Sequence, residues 1–216
     1  MLEGKGIIKS YGTLKVLKGV DIHVKKGEIV SIVGASGAGK STLLHILGTL
    51  DNPDEGELVI NGQGVVNYNS RELSSFRNEQ IGFIFQFHNL LPEFTVLENI
   101  CIPAWIGKRD DSAIRKKAVE LMEVLGIMSR AEHKPGELSG GEQQRTAVAR
   151  ALINGPSIIF ADEPSGNLDS ANAKDLHQLF FKLRDTLNQT FVIVTHNDEL
   201  AGMADRRLEI KDGVIL

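Results

Sequence analysis

With 216 residues, 42% of them hydrophobic and 24% charged, the chain can bury a substantial core as one large domain or as one domain carrying an insertion. A net charge of −4 leaves no broad positive footprint for nucleic acid or an anionic membrane, and the single cysteine, Cys101, excludes an internal disulfide. No secretory-type leader opens the sequence and no apolar run approaches the roughly 20 residues that cross a bilayer, so the expectation is a cytosolic protein that meets membranes only through a partner.

Residues 5–28 carry strand signals. The run 6–11, then Val20, Ile22 and Val24 alternating with Asp21, His23 and Lys25, predicts an antiparallel β layer. Tyr11, followed by Gly12, is either a ring on which an adenine stacks or a core or turn tyrosine. Residues 28–33 form the near-continuous apolar run of a buried parallel strand.

Gly34, Ala35, Ser36, Gly37, Ala38, Gly39, Lys40, Ser41 and Thr42 follow, matching G-x-x-x-x-G-K-[ST]. Glycines at these places let successive N–H groups converge on phosphate oxygens, Lys40 would reach the β- and γ-phosphates, and Ser41 offers a hydroxyl to Mg²⁺. Leu43, Leu44, Ile46, Leu47 and Leu50 recur at helical spacing, so a helix N-terminus faces the same anion. Turn residues at 51–56 then lead into a strand over 57–60.

The run 81–85 predicts another buried strand ending at Gln86, either a ligand-facing amide or a surface one. Residues 87–103, interrupted by Pro92 and Pro103, read as an unusually apolar connection, packed under helices or offered to a partner. Ile114, Ala118, Leu121, Met122 and Leu125 predict a helix capped by Asp110, Asp111 or Ser112 and stopped at Gly126. Residues from about 88 to 155 are thus expected to be a helical insertion in an α/β core. Within it, Ser139, Gly140, Gly141, Glu142 and Gln143 precede a helix that Gly155 and Pro156 end. The two glycines are a second amide-rich anion cradle or simply a helix cap.

The strand run 157–161 delivers Asp162 and Glu163 to its carboxyl end, pointing to opposite faces of an extended chain. Asp162 suits a Mg²⁺ shell, leaving Glu163 free to polarise an attacking water. Asp169 and Ser170 can cap a helix with Leu176, Leu179, Phe180, Leu183 and Leu187 on one stripe. The strand over 190–195 ends in His196, and no two histidines stand at the i, i+4 spacing of a zinc site. Residues 206–216 read as a hairpin about Asp212 and Gly213.

In order and spacing, Tyr11, the loop 34–42, Gln86, the segment 138–143, the segment 158–163, Asp169 and His196 resemble the nucleotide-binding subunit of ABC transporters over essentially the whole chain. The wording of residues 81–92 and 161–169 resembles the branch of lipoprotein-releasing LolD-type and efflux MacB-type ATPases, with FtsE-type regulatory ATPases as near neighbours. The resemblance implies a P-loop NTPase core with a mainly parallel sheet, an antiparallel N-terminal layer and an inserted helical subdomain. It also implies that Tyr11 stacks adenine, that Gln86 senses Mg²⁺ and γ-phosphate, that His196 contacts the γ-phosphate, and that Asp169 communicates between subunits. Ser139, Gly140, Gly141 and Glu142 would bind the ATP held by a second copy. Two chains would then enclose two Mg²⁺-bound ATP molecules as a homodimer serving a separate permease on the inner face of a bacterial inner membrane, with no nucleic acid involved.

Overall fold

Runs such as Ile29–Val33 and Thr190–Val194, apolar at nearly every position, are stable only where both faces of their sheet are covered, and the structure, a computed structural model describing residues 1–216, covers both. In chain order the elements are β1 (Leu2–Tyr11), β2 (Leu14–Val24), β3 (Ile29–Val33), α1 (Lys40–Leu47), β4 (Glu55–Ile60), β5 (Gln63–Gly64), α2 (Ser70–Gln80) and β6 (Ile81–Phe85). There follow α3 (Val96–Ile106), α4 (Asp111–Val124), α5 (Gly140–Leu152), β7 (Ile158–Asp162), α6 (Ser170–Leu187), β8 (Thr190–Val194), α7 (Asp198–Met203), β9 (Arg206–Lys211) and β10 (Val214–Ile215).

A six-stranded sheet runs in the order β10-β9-β3-β8-β7-β6, parallel throughout except where β10 turns back on β9. A four-stranded antiparallel sheet, β2-β1-β4-β5, forms the expected N-terminal layer. Because side chains alternate along a strand, the parallel sheet feeds two cores. Val30, Ile32, Phe160, Val192 and Val194 pack with Leu43, Leu44 and Leu47 of α1 and with Leu2, Leu17 and Val20 of the antiparallel layer. Ile29, Ile84, Ile159, Phe191 and Ile193 face the other way, onto Ile100, Met122, Val148, Leu152, Phe180 and Leu183 of the helices. Helices α3, α4 and α5 all lie in the crossover between β6 and its parallel neighbour β7.

Two segments differ from the sequence expectation. The connection 87–103 becomes helix α3 from Val96 onward, and Pro103 sits inside it. Thr95 caps the helix, its hydroxyl accepting the Glu98 N–H at 3.2 Å while the Glu98 carboxylate accepts the Thr95 N–H at 2.8 Å. Val96, Ile100, Cys101 and Ala104 are buried, and at about 1.5–3 kcal/mol for each large side chain their burial offsets the roughly 3 kcal/mol that an internal proline costs. Helix α2 went unpredicted because only Phe76 of its residues is buried, so no apolar stripe marks it. Its legible sign was the Asn69-x-x-Glu72 capping box, which the structure closes in both directions.

Candidate functional site

The parallel register sets the site. Phe85 pairs with Asp162, Asp162 with Val194, and Ile32 with Val194, so the carboxyl ends of β6, β7, β8 and β3 arrive at one edge. From the end of β3 the loop 34–39 folds back into α1. Gly34 (φ 151°) runs so close to β9 that any side chain would strike the Ile210 carbonyl, and Gly39 caps α1 with φ 104°. Ala38 donates its N–H to Ala35 at 3.2 Å, while the N–H groups of Gly37, Gly39, Lys40, Ser41 and Thr42 have no partner in the chain. Such converging free amides at a helix N-terminus form an anion cradle. Lys40 curls over it, Nζ donating to the carbonyls of Gly34 and Ala35 at 2.9 Å each.

A cleft of about 400 Å³ opens at this loop, lined by Ser36, Gly37 and residues 39–42 together with Tyr11, Glu163 and His196. Ser41 donates to Asp162 Oδ1 at 3.3 Å. A hydroxyl beside a carboxylate is a hard, oxygen-only pair, and no cluster of three or more His, Cys, Asp or Glu side chains surrounds it. That sparse set fits Mg²⁺, which keeps its waters and takes phosphate oxygens, better than a metal needing an all-protein cage. Glu163 has φ 45°, a conformation costly for a residue with a Cβ. Its Oε2 accepts the His196 backbone N–H at 3.0 Å, and its buried Oε1 has no hydrogen-bond partner, His196 Nε2 standing 3.3 Å away. A buried carboxylate oxygen left without a partner is costly, and here it lies beside the cleft that Glu163 and His196 help to line.

Other expected residues lie elsewhere. Gln86 is turned away from the cleft: its Nε2 donates to Asn167 Oδ1 and its carbonyl accepts from Asn167 Nδ2, both at 3.0 Å. Ser139, Gly140, Gly141 and Glu142 do not line the chain's own cleft. Ser139 caps α5, its backbone N–H and hydroxyl both donating to Glu142 at 2.8 Å. Arg130 donates to the other oxygen of Glu142 at 2.7 Å, and these bonds, the arginine's first, hold the carboxyl at about 2. Asp169 caps α6 through Asn172, whose backbone and side-chain N–H bonds pull the carboxyl below its ordinary range.

Several partners were not singled out by sequence reasoning. Asn167 holds Gln86, and Arg150 on α5 donates to the carbonyls of His88 and Asn89 at 2.7 and 2.6 Å, tying the segment after Gln86 to that helix. His177, buried on α6, stands 3.0 Å from the Ser165 hydroxyl in the loop after Glu163. No local pattern marks them, since each contact joins separate elements.

Residues 17–166 match the family described as ABC transporter. The chain is 61% identical over 216 residues to the lipoprotein-releasing system ATP-binding protein LolD of Cytophaga hutchinsonii, covering 100% of this chain and 99% of that protein. It is 59% identical over 215 residues to the protein of the same name from Bacteroides thetaiotaomicron, again covering 100% and 99%. Among solved structures, the dimeric bacterial ABC transporter cassette MJ0796 superimposes with a TM-score of 0.91 at 41% identity, over 100% of this chain and 96% of that one. A post-hydrolysis dimer of the same cassette bound to ADP and phosphate gives 0.90 at 41% identity and the same coverage. The chain belongs to the ABC transporter family, as one of its ATP-hydrolysing cassette subunits with a P-loop NTPase fold.

Proposed function

We propose that this chain powers a lipoprotein-releasing ABC transporter, two copies clamping two ATP molecules and driving a separate permease at the cytoplasmic face of a bacterial inner membrane. Its relatives' names support the cargo class, and the dimeric cassettes it resembles support the pairing. No helix here is long and apolar enough to cross a membrane, which agrees with a permease supplied by another chain.

The carrying observation is the convergence of the free amides of loop 34–42, the Ser41–Asp162 pair and the unpartnered Glu163 oxygen in one cleft. Lys40 would leave its two carbonyls for the β- and γ-phosphates, and Tyr11 would stack the base. Ser41 and Asp162 would hold Mg²⁺, with Gln86 joining once it releases Asn167; the ion would neutralise charge on the phosphates. Glu163 would orient a water and accept its proton, with His196 beside it contacting the γ-phosphate. Ser139, Gly140 and Gly141, with Glu142 fixing their cap, would meet the γ-phosphate held by the second copy, and Asp169 would carry the signal between copies. The whole chain would act as one ATPase domain whose helices within about 88–155 form a lobe. Exposed Phe87, Leu91 and Phe94, at the start of that lobe, offer the permease an apolar surface.

Affinity purification of the tagged chain from detergent-solubilised inner membranes, with mass spectrometry of its partners, tests this. Recovery of a permease that carries bound lipoprotein supports it. A membrane partner that binds no lipoprotein favours a regulatory FtsE-like role, and loss of ATP turnover in the purified chain overturns both.

A further inference from the structure

Tyr11 ends β1 half exposed, where a ring would sample several rotamers, yet its hydroxyl donates to Asp51 Oδ2 at 2.7 Å. The other oxygen of Asp51 accepts from Lys9 Nζ at 2.9 Å and from the Asn52 N–H at 2.7 Å, so the carboxylate is itself immobilised. Lys9 lies two residues before Tyr11 on the same strand face, bonds the Asn52 carbonyl at 2.6 Å, and places its ammonium 5.3 Å from the centre of the tyrosine ring. The ammonium lies over one face of the ring, and the ring lines the cleft at the phosphate loop. Burial raises the Asp51 carboxyl, but the bonds from Lys9 and Tyr11 together hold it low, and the bond to Asp51 raises the Tyr11 phenol. Donor and acceptor thus keep their protonation states through neutral pH. Asp51 stands just beyond α1, the helix that begins at Lys40 of the phosphate loop. The ring is tied to the element that positions the triphosphate.

We infer that Asp51 is a positioning residue for nucleotide recognition: by anchoring the Tyr11 ring to the end of α1 it sets the distance between the base and triphosphate subsites, and so selects base-bearing triphosphates. This rests on Tyr11 being the base-stacking ring. A ring already ordered loses no side-chain freedom on binding, and releasing the tether costs about two- to tenfold in affinity.

Calorimetric titration of the full chain with Mg·ATP and with Mg·tripolyphosphate, which has no base, tests it. Tyr11→Phe, which keeps the ring and removes the tether, and Asp51→Ala should each weaken ATP binding about two- to tenfold. The double variant should be no weaker than either single one, because both remove the same bond. Asp51→Asn, which keeps an acceptor for the phenol, should recover most of the loss, and tripolyphosphate affinity should not move. Wild-type ATP affinity in Tyr11→Phe, additive losses, or an equal loss for tripolyphosphate overturns the inference. Tyr11→Leu separates the two levels: if it weakens ATP binding while Tyr11→Phe does not, stacking stands and the tether falls; if it has no effect, both fall.

Discussion

Glu163 is held to His196 by one hydrogen bond, Oε2 accepting the backbone N–H at 3.0 Å, which leaves Oε1 without a hydrogen bond 3.3 Å from the ring Nε2. A glutamine at 163 can still accept the backbone N–H through its amide oxygen, so the geometry survives while the proton acceptor is lost. Glu163→Gln is expected to lower hydrolysis about 10²- to 10⁴-fold while ATP binding persists. Light scattering with ATP should then report a stable dimer, whereas a monomer would contradict the shared-nucleotide arrangement.

Gly140 and Gly141 separate the demands of folding from those of a second copy. A Cβ on Gly140 would meet only Leu168, at 3.5 Å, whereas one on Gly141 would press on Asn172 Oδ1 at 2.7 Å and disturb the bond from Asn172 to Asp169. Gly140→Ala should therefore keep the thermal midpoint of the parent within a few degrees and still lose ATP turnover, because the methyl group intrudes on a nucleotide brought by the partner. Full turnover in that variant would remove this segment from the site.

Lys40 straps the loop onto itself through the Gly34 and Ala35 carbonyls. Lys40→Ala is expected to leave a folded chain whose ATP affinity drops beyond detection in the calorimeter. Retained micromolar binding would show that the free amides suffice alone.

Burial lowers the pKa of His177, whose Nδ1 has no partner. In the window below the ordinary histidine value of about 6.5 the unfolded chain takes up a proton that the folded chain refuses, so stability is complete above that value and is lost as pH falls through it. Each proton so excluded contributes a slope of up to about 1.4 kcal/mol per pH unit. His88, lowered by burial and then by Arg150, adds a slope of the same sign. Urea titrations between pH 7.5 and 5 should show stability falling with acidification, and His177→Gln should flatten the curve without abolishing it. An unchanged curve would mean that His177 binds its proton alike in the folded and unfolded chains.

Phe87, just after β6, is 70% exposed. Phe87→Asp should reduce recovery of the chain with membranes in flotation assays while ATP turnover by the soluble chain stays within about twofold, as expected of a surface change away from special features. Undiminished recovery would take this residue out of the permease contact.

Much of the molecule was legible in its sequence for a physical reason. Strands buried on both faces must be apolar along their length, a phosphate loop must be rich in glycine, and parallel strands must present their carboxyl ends together. Hence β3, β6, β7 and β8, the loop 34–42, and the placing of Gln86, Asp162, Glu163 and His196 at strand ends could all be read from local pattern. Local pattern also misled at Pro103, because the burial that sustains α3 comes from residues far along the chain. Only the tertiary structure decided that Gln86 turns to Asn167, that His196 closes on Glu163, that Gly141 seats against Asn172, and that Tyr11 is bound to Asp51 across 40 positions. Periodicity says which face of an element is buried; what that face meets depends on strand order and register, and those are settled by packing the whole chain at once.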